Sequence, residues 1–372
     1  MDFSLTGDHL ALRDAVRKFC DGEYPLHQCG NAEAATLSAS RWAALAELGL
    51  FGLDISAAYD GSGLTAVEIM LAAQELGRRL GGGSWIASNL PAAYILSKAG
   101  RDAQRSTWLP KIAVGRRRLS LAYLESGWRY DLAKPAVTAV QQNRGWLLNG
   151  TKINVPGADA ADGFVVSAGD DALFIVDART PGVSVQSFRT LDGRAAGHVT
   201  LDGATVSGEA LITGAGRAVL QAAIDYATAA LCAEATGAIE ALIDLTTDYL
   251  KTREQFGQPL VKFQVLQHGI ADALIDLEQS KSMACVAALA AGSEDAGQRA
   301  RLISAAKVTI GNAARRVGQW AIQMHGAMGM TDECRAGHYA KRLLVINQMF
   351  GDASYHLQRF IKHMAQGNGN ES

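Results

Sequence analysis

The spacing of apolar residues changes character twice along the chain, and this constrains the fold more than any single motif. Over residues 1–118 it has a helical three-to-four period. Leu12, Val16 and Phe19 share one face with Arg13, Arg17 and Lys18 elsewhere, and Ile69, Ala73, Leu76 and Leu80 repeat the stripe. Between the two stripes, Tyr59-Asp60-Gly61-Ser62-Gly63 is a turn signal. From about Ser120 to Val206 the period shortens. Trp146–Leu148, Asn149-Gly150 and Thr151–Ile153 read as strand, two-residue turn and strand. Val165-Val166, Leu173–Val176 and Val199–Leu201 are further short strands, and Asp202-Gly203 marks another turn. From about Gly214 to Lys362 long helices return, with Ala pairs at 222–223, 287–288 and 313–314 that permit close helix approach. The expectation is a mainly α protein with inserted β: helices over 1–118, a small β-domain over 119–210, a helical bundle over 211–364 and a flexible tail over 365–372.

Composition narrows the function. With 372 residues and 48% of them hydrophobic, the chain can build more than one core and has no disordered character. A net charge of -2 and only 19% charged residues give no electrostatic case for nucleic acid or an anionic membrane surface. The most apolar long stretch, Ala215 to Leu250, carries Asp225, Glu234, Glu240, Asp244 and Asp248, which argues against insertion in a bilayer. The start, with Asp2 and Asp8 in an amphipathic pattern, reads as neither signal nor transit peptide. Cys20, Cys29, Cys232, Cys285 and Cys334 are scattered, fit neither a zinc site nor a disulfide framework, and suggest free thiols in the cytoplasm.

Generic catalytic motifs are mostly missing. Gly214-Ala215-Gly216 begins like a dinucleotide fingerprint, but Val219 holds the third glycine position and no βαβ unit surrounds it. No Walker loop, nucleophile elbow or metal-ligand spacing is present. Two segments of the last block resist a packing explanation. In Arg253-Glu254-Gln255-Phe256-Gly257-Gln258-Pro259-Leu260, followed by Phe263-Gln264, a helix is expected to end near Phe256-Gly257, with Pro259 fixing the turn. Arg253 offers a rigid donor fork suited to pyrophosphate, and Gln255, Gln264 and Phe256 add neutral donors and an aromatic face. Gln323-Met324-His325-Gly326-Ala327-Met328-Gly329 permits close backbone approach, to a ligand or to another helix.

These two segments, their separation and the helix–sheet–helix order resemble the acyl-CoA dehydrogenase family of flavoproteins over nearly the whole chain. Leu48-Gly49-Leu50-Phe51-Gly52 with Tyr59–Gly63 is similar to the family's N-terminal glycine loop, and Ala122-Tyr123-Leu124-Glu125 to its first flavin segment. The resemblance implies an N-terminal helical domain, a β-barrel-like middle domain and a C-terminal four-helix bundle. It implies FAD as hydride acceptor, an acyl-CoA substrate oxidised to a 2-enoyl-CoA, an electron-transfer acceptor and an oligomer. It further implies cofactor contacts at Arg253, Gln255, Phe256, Gln264, Gln323, His325, Gly326, Ala327, Leu124, Glu125 and Ser354, with no metal.

Departures fall on one half of the cofactor site. Where the family has Thr-Glu-Pro-x-x-Gly-Ser-Asp around the flavin ring, Glu125 and Asp131 keep their spacing, but Leu124, Ser126, Arg129 and Tyr130 replace the Thr, Pro, Gly and Ser. In the second ring segment, Lys152-Ile153-Asn154-Val155-Pro156-Gly157 has Asn154 in place of the tryptophan, and Pro156 without an N–H. The ADP-half residues, which in the family reach the neighbouring subunit's FAD, are intact. The family's catalytic carboxylate aligns with Asp352, one methylene short of its Glu; the alternative base position falls on Ala227, and the neighbouring arginine on Thr228. Two expectations follow. One is a subunit of a heteromeric, α2β2-type acyl-CoA dehydrogenase for steroid, dicarboxylic or other bulky substrates, lending its ADP half to a homologous partner. The other is a self-sufficient homomer, acyl-CoA dehydrogenase or nitroalkane-oxidase-like, with Asp352 as base.

Overall fold

The computed structural model describes residues 5–24, 38–127, 129–132 and 135–368. Asp2 and Cys29 lie outside them. The helices of the first block are α1 (Gly7–Glu23), α2 (Ala39–Glu47), α3 (Ala66–Arg78), α4 (Asn89–Ala99) and α5 (Asp102–Ala113). The β-region runs β1 (Leu119–Ala122), β2 (Thr138–Gln142), β3 (Gly145–Pro156), β4 (Gly163–Ala168), β5 (Ala172–Asp177), β6 (Val183–Arg189), β7 (Ala195–Ser207) and β8 (Leu211–Thr213). Then come α6 (Arg217–Thr252), the two-residue strands β9 (Glu254–Gln255) and β10 (Gln258–Pro259), α7 (Gln264–Ala291), α8 (Ala296–His325), α9 (Arg335–Gln348) and α10 (Ala353–Asn368).

The chain divides into two compact units that cut across the sequence blocks. One comprises residues 1–35, 66–82 and 228–372, and the other 36–65 and 83–227. In the first, α1 packs on α3, α3 on α7, and α8 touches α7, α9 and α10. In α1 the stripe read from sequence is buried at Val16 and half-buried at Leu12 and Phe19, with Cys20 joining the core, and in α3 Ile69, Ala73 and Leu76 are buried as that period predicts. Leu80, the fourth residue of that stripe, lies beyond the helix end at φ 53°. At the crossing of α3 and α6, a Cβ on Gly77 would stand 2.0 Å from the Glu234 carbonyl, and one on Gly237 1.9 Å from that of Gln74. Only glycine on both helices lets the backbones meet at this distance.

In the second unit two four-stranded sheets, ordered β1-β4-β5-β8 and β2-β3-β7-β6, line one core. Phe164, Val166, Phe174 and Val176 come from one sheet, and Leu148, Val155, Val199 and Leu201 from the other. Two turn assignments fail here. Asn149-Gly150 lies inside the unbroken strand β3 and Asp202-Gly203 inside β7, and the register slips between Leu148 and Gly150 as these strands pair. The two dipeptides face one another in a bulge, where Asn149 Oδ1 accepts from Gly203 N at 2.7 Å. A bulge calls for the same permissive φ that a tight turn does: Gly150 has φ 136° and Gly203 φ 64°. The real two-residue turn is Asn143-Arg144, with Gln142 paired to Gly145 and Asn143 at φ 42°.

Helix α6 is long and apolar enough to cross a bilayer, but 89% of its most apolar window is buried inside the protein. Burial in the core therefore accounts for the apolar stretch. The last helix continues through Asn368, past the expected start of a tail.

Candidate functional site

Helix α6 ends earlier than expected, at Thr252, and Phe256-Gly257 forms the tip of the β9–β10 hairpin instead of a helix end. Both tip residues have positive φ, 55° and 77°, which a tight hairpin turn requires. Pro259 closes this hairpin, paired with Glu254. Arg253 sits at the junction. Its N–H donates to the Tyr249 carbonyl at 2.8 Å and its own carbonyl accepts from Leu260 N at 2.8 Å, so its main chain is fixed. Its guanidinium is exposed and, among the described residues, makes no hydrogen bond or ion pair. Phe256 is 88% exposed, its ring edge-on to Phe263. Gln255 and Gln264 are exposed as well, and the Gln255 amide turns back to the Glu254 carbonyl at 2.9 Å.

The second segment closes α8. Gln323, Gly326 and Ala327 are exposed, Gly326 has φ 60°, and nothing lies within 4 Å of where its Cβ would be. His325 departs from expectation. Its ring is buried, held by the Ala321 carbonyl 2.9 Å from Nδ1 and stacked on Tyr249 at 4.4 Å with planes 21° apart. A carbonyl can only accept, so Nδ1 carries the hydrogen. Tyr249 covers one face of the imidazole, and the residue is only 6% exposed. That stack brings the two sequence segments together on one unit.

Glu125 also turns inward. Its carboxylate accepts from Ala136 N, from Val137 N at 3.0 Å and from the Lys152 ammonium. Lys152, on β3, further donates to Ser167 Oγ of β4 at 2.9 Å and so ties the two sheets. Burial holds this ammonium below its ordinary pKa despite the adjacent carboxylate. The side chain expected at the flavin ring is therefore a buried structural anchor. Leu124 is half-buried, and its carbonyl accepts from Ile153 N at 2.8 Å.

Asp352 begins α10. Its Oδ1 accepts from Tyr355 N at 2.8 Å and its carbonyl from His356 N at 3.0 Å, the geometry of a helix N-cap. Ser354, in the first turn, is exposed. Beneath this turn lie two groups that sequence reasoning missed. Lys307 is buried with its ammonium on the carbonyls of Ile346 and, at 3.0 Å, Met349; burial pulls its pKa down to about 8. His356 donates from Nε2 to the Phe350 carbonyl at 3.2 Å and accepts at Nδ1 from Ser304 Oγ at 3.1 Å. A lysine within the apolar, Ala-rich run of α8 was the available signal for the first. The Glu234–Arg342 pair, 2.8 Å apart and buried, braces α9 against α6.

A cleft of about 790 Å3 in the sheet-containing unit, lined by Trp42, Gly49, Asp60 and Arg118, holds none of the expected cofactor residues. Its guanidinium lies 4.2 Å over the Trp42 ring, and that ring stacks on Phe51. The candidate site is thus not this cleft.

Against FAD, the two halves of the site fit differently. Arg253, with a free donor fork, suits a diphosphate, and the open backbone at Gly326 suits the close approach of a nucleotide. At the ring-side segments Glu125 is engaged internally, Asn154 sits at φ 50° with its N–H 3.4 Å from His198 Nδ1, and Pro156 has no donor.

Comparison with known proteins agrees with this architecture. Residues 6–116, 120–204 and 214–365 match the N-terminal, middle and C-terminal domains of acyl-CoA dehydrogenases. A variant of the Tcur3481-Tcur3483 steroid ACAD is 32% identical, with a TM-score of 0.86 over 97% of this chain and 99% of that one. The ChsE4-ChsE5 complex from Mycobacterium tuberculosis is 25% identical, with a TM-score of 0.88 over 98% of this chain and 99% of that one. The (R)-benzylsuccinyl-CoA dehydrogenase of Thauera aromatica is 26% identical over 98% of this chain and 97% of its own length. With all three domains matched in order, the chain belongs to the acyl-CoA dehydrogenase family, whose cofactor is FAD.

Proposed function

We propose that the chain is one subunit of a heteromeric acyl-CoA dehydrogenase, lending Arg253, Gln255, Phe256, Gln323, Gly326 and Ala327 to the ADP half of FAD held mainly by a homologous partner. One contrast carries this reading. The Arg253 guanidinium is exposed and unengaged, whereas Glu125, the ring-side carboxylate, is tied to Lys152. The similarity to a steroid enzyme and to a two-protein complex supports the same assignment and favours bulky acyl-CoA substrates.

The reaction removes a proton from the α-carbon and a hydride from the β-carbon of an acyl-CoA, leaving a 2-enoyl-CoA. FAD, when bound, accepts the hydride. The α-proton goes to a carboxylate, and the partner is the source of that base. Asp352 already caps α10, is shorter than the family's Glu, and a misplacement of about 1 Å can cost on the order of 10²-fold in rate.

The test is expression of this chain alone and together with a homologue that has intact ring segments. A colourless chain that carries FAD and oxidises acyl-CoA only in the mixed assembly is the expected result. A yellow, active homomer overturns the proposal. Within the mixed assembly, Asp352→Asn keeps the cap and should leave turnover within about twofold; loss of about 10²-fold or more would assign the base to this chain.

A further inference from the structure

The two ADP-side segments are separated by some seventy positions in the chain, yet a bound diphosphate would need them at a fixed spacing. Three features set that spacing. The Arg253 N–H is bonded to the Tyr249 carbonyl at 2.8 Å, so the arginine moves with Tyr249. Gln323 lies one half-turn before His325 in the same helix, so it moves with His325. The rings of Tyr249 and His325 then lie against each other at 4.4 Å. On its other side His325 is backed by the turn at Gly326–Met330, where a Cβ on Gly329 would stand 3.2 Å from the His325 Cβ and 2.8 Å from the Ile322 carbonyl. The His325 side chain is 6% exposed, with Nδ1 bonded to the Ala321 carbonyl.

We infer that Tyr249 and His325 are positioning residues whose stacked rings hold Arg253 and Gln323 at the spacing that the adenylate half of FAD requires. The inference rests on the function proposed above and adds residues that touch no cofactor atom. Its physical content is pre-organisation: a donor pair already at the right separation binds without the entropy of being brought there. The flat ring is what matters, since the face of His325 and not its polarity meets Tyr249.

The test uses the flavin-carrying assembly, stripped of FAD and titrated with FAD and, separately, with ADP, following flavin fluorescence and calorimetric heat. His325→Leu fills the volume without a ring and should weaken both ligands by about tenfold. His325→Phe restores the ring and should bind within about threefold of the parent. Turnover per bound flavin at saturating FAD should be unchanged in both, which a general loss of structure would not produce. Parental affinity in His325→Leu together with lost affinity in Arg253→Ala overturns the positioning role alone. Parental affinity in Arg253→Ala overturns the shared site, and this inference with it. Equal losses in His325→Leu and His325→Phe also overturn it, since a ring would then not be the operative feature.

Discussion

Burial pushes the His356 imidazole down to about 3, and repulsion from Lys307 and Arg359 acts in the same direction. Its hydrogen bonds suit the neutral ring, which donates to Phe350 and accepts from Ser304. In the unfolded chain the same group titrates near 6.5. Between these values the unfolded state binds a proton that the folded state refuses, so stability rises with pH from about 3 to about 6.5 and is lost as acid is added. The contribution is on the order of 3–5 kcal/mol across that window. His356→Gln, neutral throughout, should flatten the slope of urea-unfolding free energy between pH 6.5 and pH 4; an unchanged slope would assign the acid sensitivity elsewhere. The sequence did not announce this histidine. His356 gains its character from Lys307 and Ser304, about fifty positions earlier, and only the packing of α8 against α10 makes them neighbours. Arg253 could be picked out for the opposite reason, since it is one exposed side chain beside a local turn.

The elements that could be read in advance were those whose pattern is local. The inner faces of α1 and α3 repeat every three to four residues, and Val16, Ile69, Ala73 and Leu76 are indeed core. The β-strands over 165–166, 173–176 and 199–201 were found, but among β1–β8 the strands β1, β2, β6 and β8 were not; β2 and β6 expose most of their residues and carry little apolar signal, and β1 and β8 are only four and three residues long. Asn-Gly and Asp-Gly misled because the dipeptide reports a permissive backbone and not the direction in which the chain leaves. Crossing glycines were equally silent, since Gly77 and Gly237 sit in unbroken helices and their partners are distant in sequence. They matter energetically. Gly237→Ala would put a methyl 1.9 Å from the Gln74 carbonyl. Overpacking of this kind typically costs about 1–3 kcal/mol, and a backbone obstacle places this site at about 3 kcal/mol or more. The expected result is a lower urea midpoint with an unchanged m-value; parental stability would mean that α3 and α6 can separate freely.

At the scale of the molecule, 19% charged residues suit helices that bury one face internally and offer another to a neighbour. On α10, Leu357, Ile361 and Met364 are 48%, 57% and 43% exposed and recur at helical spacing, an apolar stripe on the outer face. Ile361→Glu should therefore shift sedimentation toward smaller species and lower flavin content together, while an unchanged sedimentation coefficient would clear this stripe of any role in assembly. The path of the chain has a further consequence, for synthesis. The unit that holds α1 and α3 is completed only by residues 228–372, after the 83–227 stretch of the other unit has been made. At ribosomal rates that stretch takes on the order of ten seconds. During it α1 and α3 have each other but not α7, against which α3 will pack. The helices most easily recognised in the sequence are thus the earliest made and among the last housed. A translational pause between residues 83 and 227 prolongs their exposure to proteases and to wrong partners, so codon choice within the β-region bears on how much protein is recovered.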